Sequence, residues 1–175
     1  IGGMIDRYYW KQLFTMAGAS PNGASRLDFT ADLANLWQNS GDSVQITVEL
    51  RGRPVMTNNP NHNIGLYING SSIIANQEFQ IQSPTSVIFN VPHSYFNVGN
   101  NTIRLEALGD KIPAGEFDII QINNVKITYD SQLIADSNQT HMYLGESEYE
   151  IYLRGFSENT FNVYDMSDPN ASVKF

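Results

Sequence analysis

The sequence predicts an all-β fold: an antiparallel β-sandwich of the jelly-roll kind followed by a small β-hairpin unit. Three observations carry that expectation. Apolar residues recur at every second position along run after run, Gly, Pro and Asn turn signals separate the runs, and no stretch of helical length sustains a 3.6-residue apolar stripe. A period of two sends one side of each strand into a core and the other into water, which suits antiparallel sheets with one solvated face.

Pro21-Asn22-Gly23 breaks the chain before the first alternation, at Leu27 and Phe29. At most Leu33-Ala34-Asn35-Leu36-Trp37 makes a helical turn, and Gly41-Asp42 breaks the chain after it. Ser43 to Arg51 gives the clearest strand, with Val44, Ile46, Val48 and Leu50 on one side and Ser43, Gln45, Thr47, Glu49 and Arg51 on the other. The Asn-rich stretch Asn58 to Asn63, containing Asn59-Pro60-Asn61, reads as a loop. Ile64, Leu66 and Ile68 then lead into Asn69-Gly70, which supplies the two positive-φ residues of a tight hairpin. Alternation returns at Val87, Phe89 and Val91 and, after Gly99-Asn100-Asn101, at Ile103, Leu105 and Ala107.

The run Phe117 to Tyr129 is different. Phe117, Ile119, Val125, Ile127 and Tyr129 share one parity while Ile120 and Ile122 take the other, so the strand is either central and covered on both sides or bulged near Asn123-Asn124. The main sandwich is expected over residues 5–130. Residues 131–175 read as a small β unit, the start of a further domain: a hairpin of Thr140 to Leu144 and Tyr149 to Leu153 around Gly145-Glu146, then a strand at Phe161 to Tyr164.

A chain of 175 residues can bury a substantial core, roughly 70% of its unfolded surface. The formal net charge of −8 with ten Lys plus Arg repels phosphate backbones and anionic headgroups, so nucleic acid is excluded as a partner. Residues 131–175 hold seven of the acids against Arg154 and Lys174. The absence of cysteine removes disulfides, thiolate metal sites and a Cys nucleophile. No run reaches the roughly 20 apolar residues of a membrane span. Ile1-Gly2-Gly3-Met4 is no signal peptide, and the alternation restarting at Ser172 to Phe175 suggests an excised piece of a longer chain. Few lysines and much Asn, Ser, Gly and Thr suggest an extracytoplasmic module.

No G-x-S-x-G elbow is present, and His62, His93 and His141 stand in separate contexts without metal spacing, so each is expected as a solvated loop or strand-edge histidine. Asp165, Asp168 and Asn170 offer oxygen ligands to calcium, as do Asp110, Glu116 and Asp118 around the Lys111 to Gly115 loop, but neither set has EF-hand spacing. An Asx-turn before Pro169 explains the first set without a metal. The sequons at Asn69, Asn100, Asn138 and Asn170 read as turn residues. Sugar recognition would use exposed aromatic faces with amides beside them. Trp10, on a face shared with Tyr8 and opposite Tyr9, Trp37 near Gln38-Asn39, and Tyr67, opposite the Ile64, Leu66 and Ile68 side, are the candidates, and packing between strands accounts for each as well.

The segments INNVKITY (Ile122 to Tyr129), Gly155-Phe156-Ser157 and Val163-Tyr164-Asp165-Met166-Ser167-Asp168-Pro169, with the earlier Tyr9-Trp10-Lys11 and Gly70 to Val91, resemble the non-catalytic β-sandwich region that precedes the catalytic domain in secreted gingipain-type, caspase-like-clan cysteine peptidases. One departure is Tyr129-Asp130-Ser131 where the family often shows Tyr-Pro-Arg. The resemblance implies an extracellular or cell-surface bacterial protein, with a jelly roll of the galactose-binding-like variety. It implies a non-enzymatic accessory module that positions or regulates an adjoining peptidase domain, since the family's catalytic pair has no counterpart here. The rival expectation is a carbohydrate-binding module that tethers its parent to glycan, with no cofactor other than the calcium considered above.

Overall fold

The computed structural model describes residues 10–38, 41–53, 59–80, 83–132, 134–135, 138–139, 153–158, 160, 162–165 and 173–174. The chain divides into two compact units, Ile1–Ser131 and Gln132–Phe175. The first contains eight strands: β1 (Lys11–Met16), β2 (Arg26–Leu33), β3 (Ser43–Arg53), β4 (His62–Ile68), β5 (Ala75–Phe79), β6 (Thr85–Pro92), β7 (Gly99–Ala107) and β8 (Phe117–Thr128). They form two antiparallel sheets, ordered β1-β8-β3-β6 and β2-β7-β4-β5. The pairs β1/β8, β2/β7, β3/β6 and β4/β5 nest like one long hairpin whose tip is the β4–β5 connection, and successive pairs fall into opposite sheets. That winding is the jelly roll the sequence predicts.

The inner faces make the core. Leu13, Val44, Ile46, Val48, Leu50, Val87, Phe89, Val91, Ile120 and Ile122 from the first sheet, with Leu27, Ile64, Leu66, Ile68, Ile103 and Leu105 from the second, are all buried in one cluster. Each large aliphatic or aromatic side chain so enclosed contributes about 1.5–3 kcal/mol. At the hairpin tip, Asn69 (φ 51°) and Gly70 (φ 74°) take the left-handed conformation and the Ser71 N–H donates to the Ile68 carbonyl at 3.0 Å, closing the turn.

The double-faced run in β8 is a bulge. Asn124 lies opposite Glu49 and Ile122 opposite Leu50, so Asn123 is the extra residue. Ile120 and Ile122 point inward before it, Val125 and Ile127 pack on the core after it, and Phe117 and Ile119 are left on the outer face.

Leu33 to Trp37 is not a helical turn. Asn35 adopts φ 58° and the Leu36 N–H donates to the Leu33 carbonyl at 3.2 Å, a reversal that lets buried Leu36 bridge to Ser131. A single 3-10 turn, His93–Tyr95, is the one helical element among the described residues, and none of them forms a helix long and apolar enough to cross a membrane.

In the second unit β9 (Tyr164–Asp165) pairs antiparallel with β10 (Val173–Lys174), Ile134 bridges Arg154 in parallel, and Asn138 Oδ1 accepts from the Ser157 N–H at 2.7 Å. The hairpin expected around Gly145-Glu146 lies outside the described residues.

A candidate ligand face on the first sheet

On the outer face of β1-β8-β3, register places side chains in rows. Gln12, Gln121 and Arg51 form one row, Phe14, Ile119 and Arg53 the next, and Met16 with Phe117 the last. Strand alternation dictates this: Leu13 and Thr15 are drawn into the core, so Phe14 and Met16 must face out. The Phe14 and Phe117 rings stack with centroids 5.7 Å apart at 29° and remain 37% and 43% exposed. Beside them runs a hydrogen-bonded ladder, in which Arg51 Nε donates to Gln121 Oε1 at 2.8 Å and Gln121 Nε2 donates to Gln12 Oε1 at 3.2 Å. The Asn123 amide donates to Glu49 at 3.2 Å on the far side of that ladder. The arrangement sets two exposed, stacked aromatic rings beside amide groups that are already fixed by one another.

Behind this face lies a polar end to the core. His62 Nδ1 meets Asp118 Oδ1 at 2.7 Å, both side chains are 1% exposed, and the imidazole stacks on Phe79 at 5.0 Å. Gly52 faces the ring so closely that any Cβ there would overlap the His62 imidazole. Gly52 therefore turns inward while its neighbours Arg51 and Arg53 turn out. Burial raises the Asp118 pKa above the ordinary carboxylate value, with the His62 hydrogen bond opposing the shift, and Asp118 Oδ2 has no hydrogen-bond partner among the described residues.

These contacts correct the expectation for two histidines and bear on the carboxylates. His62 and His93 are buried, not solvated, and His141 lies outside the described residues. A His-Asp pair is what a hydrolase would use, but this one is sealed from any substrate. Asp118 is committed to His62, and the Asp110 carboxylate accepts from Asn63 Nδ2 at 3.0 Å through both oxygens, so with exposed Glu116 they make no cation site. Among the described residues no group of three His, Asp or Glu side chains is placed to hold a metal. Asp165 is exposed in β9, while Asp168 and Asn170 lie outside the described residues.

The structure places the aromatic candidates apart. Trp10, just before β1, sets its ring edge-on to Phe29 with centroids 5.5 Å apart. Exposed Trp37 follows β2, and its backbone N–H donates to the Asp130 carbonyl at 2.8 Å. Tyr67 lies on the outer face of the second sheet beneath the Arg104 guanidinium, 5.7 Å from the ring centroid, with its hydroxyl donating to Glu106. Tyr8 and Tyr9 lie outside the described residues. Around Tyr67 the charges answer one another: Asp28 bonds Arg26 at 2.9 Å and Arg104 at 2.7 Å, and Lys111 bonds Glu78 at 2.7 Å. Burial raises the pKa of both Glu106 and Tyr67.

Sequence pattern alone does not single out Phe14, Phe117, Gln12 or Gln121. A signal existed for Phe117: a bulge at Asn123 inverts the parity of everything before it.

No family model and no curated protein matches the chain. Among solved structures it is similar to the carbohydrate-binding module CBM36 in complex with calcium and xylotriose, at 14% identity and a TM-score of 0.44 over 67% of this chain and 78% of that one. It is also similar to the CBM36-1 domain of a multidomain xylanase from the hindgut metagenome of Trinervitermes trinervoides, at 16% identity and a TM-score of 0.44 over 69% of this chain and 99% of that one. At these scores the likeness carries no argument about what this chain binds.

Proposed function

We propose that this chain is a non-catalytic glycan-binding module that uses the outer face of β1-β8-β3. The stacked, exposed Phe14–Phe117 pair beside the Gln12–Gln121–Arg51 ladder is the observation that supports it. A pyranose ring presents an apolar C–H face and a rim of hydroxyls. Exposed aromatic rings suit the first, and amides held at fixed spacing suit the second, as donors and acceptors at once. Because the ladder groups are already bonded to one another, little side-chain freedom is lost on binding. A module with this role works outside the cytoplasm, where it tethers the protein that carries it to glycan.

The alternative, an accessory surface docked on an adjoining gingipain-type peptidase domain, rests on the sequence resemblance alone. Phe14, Met16, Phe117 and Ile119 make up the apolar part of this face and border amides and arginine within one row.

Calorimetric titration against soluble polysaccharides tests the proposal. The double variant Phe14→Ala/Phe117→Ala loses affinity by about tenfold or more, which is about 1.4 kcal/mol, while circular dichroism shows the β fold retained because neither ring belongs to the buried core cluster. Trp37→Ala binds as the parent does. Binding that survives the double variant, or vanishes with Trp37→Ala, overturns the assignment of this face.

A further inference from the structure

Resting on the glycan reading, we infer that the site is an extended track: it takes the interior of a linear polysaccharide laid along the strands, with Asn124 and Gln45 contacting sugars beyond those seated on the phenylalanine pair. The observation is that the polar rungs do not stop at the Gln12–Gln121–Arg51 ladder. One row further along β3, Glu49 accepts from the Asn123 amide at 3.2 Å, and three rows further Gln45 Nε2 donates to Asn90 Oδ1 at 3.3 Å. Thr47 occupies the row between them, flanked by Lys126 and Ile88.

The bulge supplies the continuity. In an unbroken strand one of two adjacent residues faces the core, but Asn123 and Asn124 are both exposed, so the extra residue turns a second amide outward in the middle of the face. From Arg53, in the row of Phe14, to Gln45 the band follows β3 for about 27 Å. That is longer than one or two sugar rings, and it runs in a single direction. A linear polysaccharide repeats a ring face and a rim of hydroxyls along its axis, so successive sugars meet successive rungs. The amides of each rung donate and accept at once, and bonding within the rungs already limits their freedom. The apolar gain is concentrated at the phenylalanine end, so a short oligosaccharide settles there first. Among the described residues the outer face of the second sheet is instead occupied by ion pairs at Asp28 and Glu78.

Calorimetric titration of the intact chain with disaccharides and hexasaccharides of glucan, xylan and mannan, alongside the polymers, tests this. Within the series that binds, the hexasaccharide binds more than about tenfold tighter than the disaccharide, beyond the few-fold that extra registers on a short site would supply. In Asn124→Ala and in Gln45→Ala the hexasaccharide loses about threefold or more, while an unchanged disaccharide affinity reports an intact fold. Phe14→Ala/Phe117→Ala weakens both lengths. A disaccharide bound within a few-fold of the hexasaccharide, a hexasaccharide affinity untouched by both outlying variants, or equal losses at both lengths in those variants overturns the track and leaves the glycan reading standing. Failure of every oligosaccharide and polymer to bind overturns the glycan reading itself.

Discussion

The two outer faces of the sandwich use their polar side chains in opposite ways. On the second sheet nearly every charge is spent on a neighbour: Asp28 clamps two arginines, Glu106 accepts from Tyr67, and Glu78 holds Lys111. On the first sheet the polar groups form a largely neutral ladder, two aromatic rings stand exposed beside it, and Arg53 has no described partner. The charges of the second sheet are paired with one another, and the gain from such exposed pairs is small. A surface that keeps apolar rings in water and amides aligned is poised to exchange water for something else. Tyr67, although an exposed-side aromatic by alternation, belongs to the satisfied face.

The contrast can be broken from behind. Gly52→Val forces a side chain into the His62 imidazole, and β3 must lift. We expect a loss of about 1–3 kcal/mol of stability, at the upper end of that range because the ring is pinned by both Phe79 and Asp118. Adding His62→Ala to Gly52→Val recovers part of it. An unchanged denaturation midpoint for Gly52→Val would contradict this packing.

A second test uses the buried carboxyl. The folded-state pKa of Asp118 lies above the unfolded value of about 3.9, because burial disfavours its charge more than the His62 bond restores it. The native state thus holds this proton more tightly, and the stabilisation is complete below the unfolded value and lost as pH rises through the folded one. Asp118→Asn keeps an oxygen for His62 and cannot titrate. Measured against that variant, the stability of the parent declines from about pH 3 upward and then levels off, and a difference independent of pH would contradict the shift.

The smallest effect is expected on the second sheet. Asp28→Ala leaves two exposed arginines without their shared carboxylate and costs less than about 1 kcal/mol, with glycan affinity untouched. A large loss of binding in Asp28→Ala would reverse the roles of the two faces.

Much of the fold was legible because one-sided burial writes a period of two into the sequence. Val44, Ile46, Val48 and Leu50 sit where alternation puts them, and so does outward Tyr67. The candidate face was not legible, for the same physical reason. Its rings violate the rule that apolar side chains go inside, so β1, with Leu13 and Thr15 in and Phe14 and Met16 out, shows no clear stripe. In β8 the inversion at Asn123 mixes the parities, and without the partner strand the outward half cannot be told from the inward half. The burial of His62 is invisible in the sequence because its partner Asp118 and the space left by Gly52 come from the opposite sheet, remote in sequence. Trp10 and Trp37 drew attention by residue type, which says nothing of whether they share a surface.

Titrating isotopically labelled protein with a soluble oligosaccharide and following the backbone amides by NMR tests the central claim most directly. The account predicts that the shifted resonances cluster at Gln12 to Met16, Arg51 to Arg53 and Phe117 to Gln121. Shifts concentrated instead at Asp28, Tyr67 and Arg104 would place the ligand on the other sheet and contradict it.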